Sequence, residues 1–256
     1  MTPTLNTRLP AEQATRALAP RMPGIAPTQL ADWIVVSDTY APQMALRRRL
    51  INSQRERVLA EQYPEAAKEL FETVVAQLRL RPDFEVSDHS IRCPDGHEVR
   101  IGEPLETLAQ VVQEDFCLLM PEKGAYIMRA AVLCFPASWT LAEKLSRPLL
   151  GIHEPVAAYT DDLAKRVQRL FDAIRPEAPL WRANALFYDD PWLFHPASEA
   201  APRVQENLHA PYLRSERQTL VRLPKTGAVA FSIHTYILAR EAVDPNVIQQ
   251  LEARHK

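Results

Sequence analysis

The most constraining feature of the sequence is a pair of apolar, alternating segments near its carboxyl end. They read RQTLVRLP and AVAFSIHTYIL, and the short segment KTG joins them. Side chains that alternate with a period of two, on both sides of a glycine-containing turn, predict a β-hairpin. A strand over 228–238 would place His234 and Tyr236 beside small residues on one face. That face either lines a cavity or lies half exposed at the surface of a sheet.

Further strands and helices are indicated along the rest of the chain. The segments CLLM and YIMRAAVLCF flank a PEKGA turn and predict a second hairpin, and ALFYDD predicts another strand. Apolar residues spaced by three and four predict helices over 41–63, from Pro64, over 104–115 and from Pro155. The segment SWTLAEKL predicts a short helix with Ser138 as its N-cap.

The amino-terminal thirty residues are set apart by their prolines. Prolines at positions 3, 10, 20, 23 and 27 oppose a helix in this stretch. We therefore expect residues 1–30 to form a partly irregular extension, followed by a single domain over residues 31–256. The sequence shows no signal-peptide core and no apolar run of membrane length, which favours a cytoplasmic location and no membrane partner.

The charge of the chain argues against a polyanionic partner. It has 30 Lys and Arg against 32 Asp and Glu, for a formal net charge of -2. The densest basic run, 47–49, lies in a predicted helix that also carries Glu56 and Glu61, as is typical of a solvated helical face. We therefore expect no nucleic-acid partner.

Common cofactor and catalytic motifs are missing from the sequence. It contains no G-x-G-x-x-G, Walker, G-x-S-x-G or H-E-x-x-H pattern and only six glycines. Its cysteines, Cys93, Cys117 and Cys134, are too widely spaced for a disulfide framework or a zinc or iron–sulfur site. A redox function would therefore need a prosthetic group held by side chains and an electron source on another polypeptide.

One histidine stands in a constrained setting. His153 lies in RPLLGIHEPV, between Gly151 and Pro155. An imidazole held in this way can offer one nitrogen to a metal while the other binds backbone or carboxylate. The alternative is that His153 is a structural residue.

Four blocks of the sequence together resemble one family. In chain order they are QEDFCLLM, AVLCFPASWTLAEKLSRPLLGIHEPV, WRANALFYDDPWLF and RSERQTLVRLPKTGAVAFSIHTY. Over roughly residues 25–240 the chain resembles the haem-dependent oxidative N-demethylase α-subunit family. The resemblance implies an α+β, PAS-like fold, in which an antiparallel β-sheet flanked by helices, with an N-terminal helical extension, encloses haem b. The domain over 31–256 would then be the haem-binding domain.

The resemblance also implies an activity. The characterised activity of the family removes a methyl group from a small secondary amine as formaldehyde, with O2 as oxidant. Electrons come from a separate reductase that carries flavin and an iron–sulfur centre. An oxidoreductase with a small amine, O2 and a reductase subunit as partners agrees with the missing nucleotide motifs.

On this resemblance, two histidines and two basic residues are candidates for binding the cofactor. His153 becomes the candidate axial ligand of the haem iron, with His234 as the alternative. Arg147 and Lys144, on the segment that leads to His153, are candidates for the haem propionates.

Four further residues are candidates for catalysis. Glu216 would hold a protonated amine, and Arg217, Arg182 or Tyr236 would donate hydrogen bonds to bound oxygen. Because adjacent strand residues point to opposite faces, Glu216 and Arg217 should not line the same pocket.

Two departures from the family bear on the substrate. The chain has Asn184-Ala185 where similar sequences often read Asn-Trp, and His234 where they often have Arg. The pocket would differ in shape and charge, so dimethylamine does not carry over as the substrate. Two other functions stay open: a non-catalytic PAS-like module that senses or binds haem or another small ligand, and a haem-free interaction subunit.

Overall fold

The computed structural model describes residues 2–19, 24–149, 161–201 and 207–254. The strands over these residues are β1 (Ala26–Pro27), β2 (Leu59–Glu61), β3 (Glu85–Val86), β4 (Ser90–Arg92), β5 (Glu98–Arg100), β6 (Asp115–Glu122), β7 (Ala125–Val132), β8 (Leu180–Tyr188), β9 (Tyr212–Arg222) and β10 (Val229–Ala239). The helices are α1 (Ala11–Ala17), α2 (Tyr40–Val58), α3 (Pro64–Leu78), α4 (Pro104–Val111), α5 (Leu141–Lys144), α6 (Asp161–Ala173) and α7 (Pro245–Arg254). Short 3-10 turns occupy Leu30–Asp32 and Arg240–Ala242.

One large antiparallel sheet organises the molecule. Its strand order is β1-β8-β9-β10-β6-β7-β2, and β3, β4 and β5 form a small separate sheet. The helices flank the large sheet, so the predicted α+β fold with an antiparallel sheet between helices is confirmed. Among the described helices, none combines the length and the apolar character needed to cross a bilayer.

The strand registers divide the side chains between two faces of the sheet. Arg217 lies opposite both Ala183 and His234, so these three side chains share a face, which we call face A. Glu216 lies opposite Asn184 and Thr235 on the other face, which we call face B. Glu216 and Arg217 therefore point to opposite sides of the sheet, as predicted.

Helices cover both faces. On face A, the core joins apolar residues of α2, α3 and α4 to side chains of β6 and β7, such as Phe116 and Ala130. At the other end of face A, Ala17 of α1 packs in a cluster with Trp181 of β8. On face B, Phe171 of α6 packs with apolar residues of β6, β9 and β10.

Both predicted hairpins are present, and two predicted strands are longer than the sequence indicated. Strand β9 begins at Tyr212 and β8 at Leu180, several residues before the patterns that predicted them. The extra length carries polar and charged side chains such as Arg214 and Arg182, which interrupt the apolar alternation. Pairing along the sheet nevertheless satisfies their backbone groups.

Several local predictions were wrong. Helix α1 forms where the prolines opposed one, because its seven residues fit after Pro10, where a missing N–H costs no helical hydrogen bond. Helix α2 ends at Val58, since Leu59–Glu61 pair with β7 as β2. Ser138 does not cap α5, because it has a φ of 65° and lies two residues before the N-cap, Thr140.

The helix predicted over 104–115 is also shorter than expected. It ends at Val111, and Asp115 instead opens β6. The carboxylate of Asp115 accepts the backbone N–H groups of Cys134 and Phe135 at 2.7 Å each, which holds this residue in the sheet. Pro155, where a further helix was predicted to begin, lies outside the described residues.

Candidate functional site

A buried carboxylate lies in the middle of face B. Glu216 of β9 is 6% exposed, and its Oε2 accepts hydrogen bonds from Nδ2 of Asn184 (3.2 Å) and Nε2 of Gln218 (2.9 Å). Oε1 has a longer contact of 3.4 Å with Nε of Arg214. We call these four residues the Glu216 cluster. Because a carboxylate offers about four acceptor positions, Oε1 can still accept a further donor.

Two arginines set the charge around Glu216. Arg214 donates to the carbonyl oxygens of Leu193 (3.1 Å) and Phe135 (2.5 Å), so its guanidinium is fixed beside the carboxylate. Arg182 shares face B, where burial lowers its pKa below the ordinary arginine value and the charge of Glu216 opposes that shift. Two guanidinium groups therefore accompany the carboxylate of Glu216 on face B.

Apolar residues that pack on face B lie before and after the His153 segment in the sequence. Leu149 precedes that segment and Phe171 follows it, and both belong to one buried cluster with Leu220 of β9. His153 itself lies outside the described residues.

Lys144 and Arg147, the candidate partners of the haem propionates, share one counter-ion. Nζ of Lys144 lies 2.7 Å from Oε1 of Glu199, and Nη1 of Arg147 lies 2.9 Å from the same oxygen. The hydrogen bond from Lys144, followed by the one from Arg147, keeps the pKa of Glu199 below its ordinary value. The structure thus brings Lys144 and Arg147 together around a carboxylate.

Two of the candidate catalytic residues lie on face A instead. Arg217 and Tyr236 line a cavity of about 690 Å³ together with Trp181 and residues of the amino-terminal segment. Burial raises the pKa of Tyr236 above the ordinary tyrosine value. The sheet separates this cavity from Glu216, so the structure does not bring the four candidate catalytic residues together in one place.

His234 is buried on face A beside Tyr236. Its Nδ1 lies 3.0 Å from Oε1 of Glu114, and both side chains are 1% exposed. The same carboxylate oxygen accepts the backbone N–H of Val35 at 2.8 Å. Nε2 of His234 has no hydrogen-bond partner within the described ranges.

The family described as haem-dependent oxidative N-demethylase, alpha subunit-like, has a model that matches residues 24–253. The chain belongs to this family. The match spans most of the chain, including every strand of the large sheet, so it covers both faces described above. The suspected family resemblance is therefore confirmed.

Groups suited to haem are present in this family member. Lys144 and Arg147 already hold a carboxylate, that of Glu199, and a propionate offers the same chemistry. Nδ1 of His234 contacts the carboxyl group of Glu114, and Nε2 has no partner among the described residues. Many metal-binding histidines likewise contact a carboxylate through one ring nitrogen and bind the metal through the other. Its near-complete burial, however, leaves no open approach to that nitrogen.

The partners of Glu216 were missed by the sequence analysis. Arg214 and Gln218 stand two residues on either side of Glu216 in the strand, so a period of two places them on the same face. Asn184 comes from β8, and only the register between β8 and β9 brings it to Glu216. Glu114, the partner of His234, lies just before β6, where no local pattern points to the contact.

Proposed function

We propose that this chain binds haem b and oxidatively demethylates a small secondary amine, with O2 as oxidant and electrons from a separate flavin and iron–sulfur reductase. Residues 31–256 would form the haem-binding domain. The observation that carries the proposal is the buried Glu216 cluster in a chain of the haem-dependent N-demethylase family.

The charge of Glu216 suits an amine substrate. A secondary amine is protonated at neutral pH, and a cation that leaves water needs a carboxylate partner. Asn184 and Gln218 hold one carboxylate oxygen, while the other has, among the described residues, only the long contact with Arg214. That second oxygen is the proposed acceptor for the N–H of the substrate.

Face B is the proposed side for the haem. Leu149, which precedes the His153 segment, and Phe171, which follows it in α6, support the choice because both belong to the apolar cluster on this face. His153 is the proposed axial ligand, and Lys144 and Arg147 are the proposed partners of the propionates. When bound, haem would supply the activation of O2.

Arg182 completes the proposed catalytic set. It shares face B with Glu216, and its guanidinium is a hydrogen-bond donor that stays charged in a partly buried position. The proposal leaves Arg217 and Tyr236 out of the reaction because the sheet separates them from Glu216. Ala185, which stands where similar family sequences often read Trp, lies on face A, so this departure does not change the surroundings of Glu216 on face B.

A haem titration tests the cofactor. The expected result is saturable binding with a Soret band, a shift under carbon monoxide after reduction, and loss of the Soret band in His153→Ala. His89→Ala, which changes an exposed histidine outside the family's candidate residues, is the control and should bind as the wild type does. Absence of saturable binding by the wild type would overturn the proposal. Bound haem without a carbon monoxide shift would favour the sensor function.

Formaldehyde release tests the reaction. The haem-loaded chain, supplied with a surrogate reductase and a panel of N-methylamines, should release formaldehyde from at least one of them. Glu216→Gln should keep the Soret band and lower kcat/KM by about 10- to 100-fold, since it replaces the charged acceptor of the amine N–H with a neutral one. Unchanged kcat/KM in this variant would exclude Glu216 as the amine-binding residue.

A further inference from the structure

The cavity on face A lies apart from the proposed amine site. About 690 Å³ in volume, it is bounded by α1, the segment before α2 and buried face A side chains of β8, β9 and β10. Its wall is both hydrophobic and charged, with Trp181, Tyr236 and Ile34 beside Arg217 and Glu12. A volume of this size accommodates a small organic molecule.

Arg217 is a buried cation with poor hydrogen bonding. It is 5% exposed, and its contacts with Oε1 of Glu12 (3.2 Å) and the carbonyl oxygen of Asp32 (3.4 Å) are long for charge-assisted bonds. Its Nε has no hydrogen-bond partner in the described part of the chain. The guanidinium also stacks over Trp181, with Cζ 3.9 Å from the ring centre.

Two other arginines, one buried and one partly buried, have better hydrogen bonding. Arg47 makes bonds of 2.6 to 3.2 Å to Asp115 and to three backbone carbonyl oxygens. Arg81, which also lines the cavity, is neutralised by a two-pronged pair with Asp83 at 3.0 and 2.8 Å. Of the two arginines that line the cavity, Arg217 therefore has the weaker hydrogen bonds to its counter-ion.

The present counter-ion of Arg217 is easily replaced. Glu12 belongs to the short helix α1, and its side chain is 69% exposed. An ion pair with so exposed a carboxylate contributes little, because water competes for it. Gln13 holds α1 independently through a 2.8 Å hydrogen bond to Ser215, so α1 can stay in place if Glu12 turns away.

We propose that this cavity binds a small organic monocarboxylate, with its carboxylate on Arg217 in place of Glu12. The planar fork of the guanidinium matches a carboxylate, and Trp181, Tyr236 and Ile34 offer contacts to an apolar body. A dianion fits less well, since Glu12 and Asp32 also line the cavity and Arg217 supplies one charge. The site is independent of haem and of Glu216.

Calorimetric titration with benzoate tests the proposal, with benzamide as the neutral molecule of the same shape. The full chain should bind benzoate saturably, with and without haem, and benzamide much more weakly. Glu12→Gln should tighten benzoate binding by about two- to five-fold, as removal of a weak competing ion pair predicts. Glu56→Gln, which changes an exposed carboxylate on α2 away from the cavity, is the matched control and should leave the affinity unchanged.

Two variants of Arg217 complete the test. Arg217→Gln should abolish benzoate binding, and Arg217→Lys, which keeps the charge but loses the fork, should weaken it. Circular dichroism monitors folding; if Arg217→Gln does not fold, the Arg217→Lys and Glu12→Gln results decide. Equal binding of benzoate and benzamide, unchanged affinity in Glu12→Gln, or no benzoate binding by either the wild type or Glu12→Gln would overturn the proposal.

Discussion

Nδ1 of His234 lies 3.0 Å from Oε1 of Glu114, and the two side chains are almost completely buried. The pair joins β10 to the residue that precedes β6, and the carboxylate also accepts the N–H of Val35 from the amino-terminal segment. Oε2 of Glu114 and Nε2 of His234 lack hydrogen-bond partners among the residues described. The pair therefore connects three parts of face A.

Removal of His234 is expected to destabilise the fold. His234→Ala would leave the buried side chain of Glu114 without its hydrogen-bond partner and would open a cavity, at a cost of about 3 kcal/mol in the free energy of unfolding. Urea unfolding followed by circular dichroism measures this cost. His209→Ala, at an exposed histidine, is the control and should change the free energy by less than about 0.5 kcal/mol.

This expectation affects how haem binding is interpreted. The amount of haem that His234→Ala binds must be divided by the fraction of the variant that is folded, because an unfolded chain also loses its Soret band. If each folded molecule of His234→Ala binds haem as the wild type does, the imidazole is structural. If the folded variant loses haem while His153→Ala keeps it, His234 is the axial ligand and face A is the haem side.

Glu199 is expected to compete with haem for Lys144 and Arg147, if these residues hold the propionates. Glu199→Gln removes the shared carboxylate charge, so the affinity for haem should rise several-fold at low ionic strength and less at high salt. Haem titration followed by the Soret band measures the change. Lys144→Gln should lower the affinity.

The matched control for Glu199 lies elsewhere on the surface. Glu122 pairs with Arg129 at 2.7 Å, and its side chain is 33% exposed against 34% for Glu199. Glu122→Gln should leave the affinity for haem unchanged. Equal effects of the two substitutions would mean that Lys144 and Arg147 do not bind the propionates.

The hairpin of β9 and β10 could be predicted from the sequence because the alternation of its side chains is local and continuous. That Glu216 and Arg217 point to opposite faces was also predictable, since adjacent residues of a strand alternate between faces. The contacts of Asn184 with Glu216 and of Glu114 with His234 were not predictable, because they depend on pairings between distant segments. Local propensity also failed at α1, whose place is fixed by contacts such as that of Gln13 with Ser215.

Two arginines on α2 should differ sharply in their effect on stability. Arg47 is fully buried and lies 2.6 Å from Oδ1 of Asp115, whereas the side chain of Arg55 is 50% exposed beside Glu106. Arg47→Met would leave Asp115 buried without its cation, at an expected cost of about 3 to 5 kcal/mol. Arg55→Met should cost less than about 1 kcal/mol. Thermal or urea unfolding measures the loss of stability in each variant. Equal losses would contradict a stabilising role for the buried pair of Arg47 and Asp115.

Asp38 gives the amino-terminal segment a stability that depends on pH. Its carboxylate accepts hydrogen bonds from Nδ2 of Asn6 (2.7 Å) and from the backbone N–H and hydroxyl of Thr7 (2.7 and 2.6 Å). Burial raises the pKa of Asp38, but the bonds from Thr7 and Asn6 outweigh it, so the pKa in the folded chain is below its ordinary value of 3.8. A carboxyl group whose pKa is lowered by folding stabilises the fold above its unfolded pKa, and that stabilisation is lost as the pH falls through the folded pKa.

Asp38→Asn should therefore destabilise the chain at pH 7 and much less in acid. The expected loss at neutral pH is about 0.5 to 1 kcal/mol, at the low end for such bonds because the carboxylate is exposed to water. Since the bonds anchor residues 6 and 7, trypsin should also cleave after Arg8 faster in the variant at neutral pH. Unfolding free energies of wild type and variant, measured between about pH 7 and pH 3, should converge as Asp38 becomes protonated in the wild type. A difference that stays constant over this range would show that the anchor does not depend on the charge of Asp38.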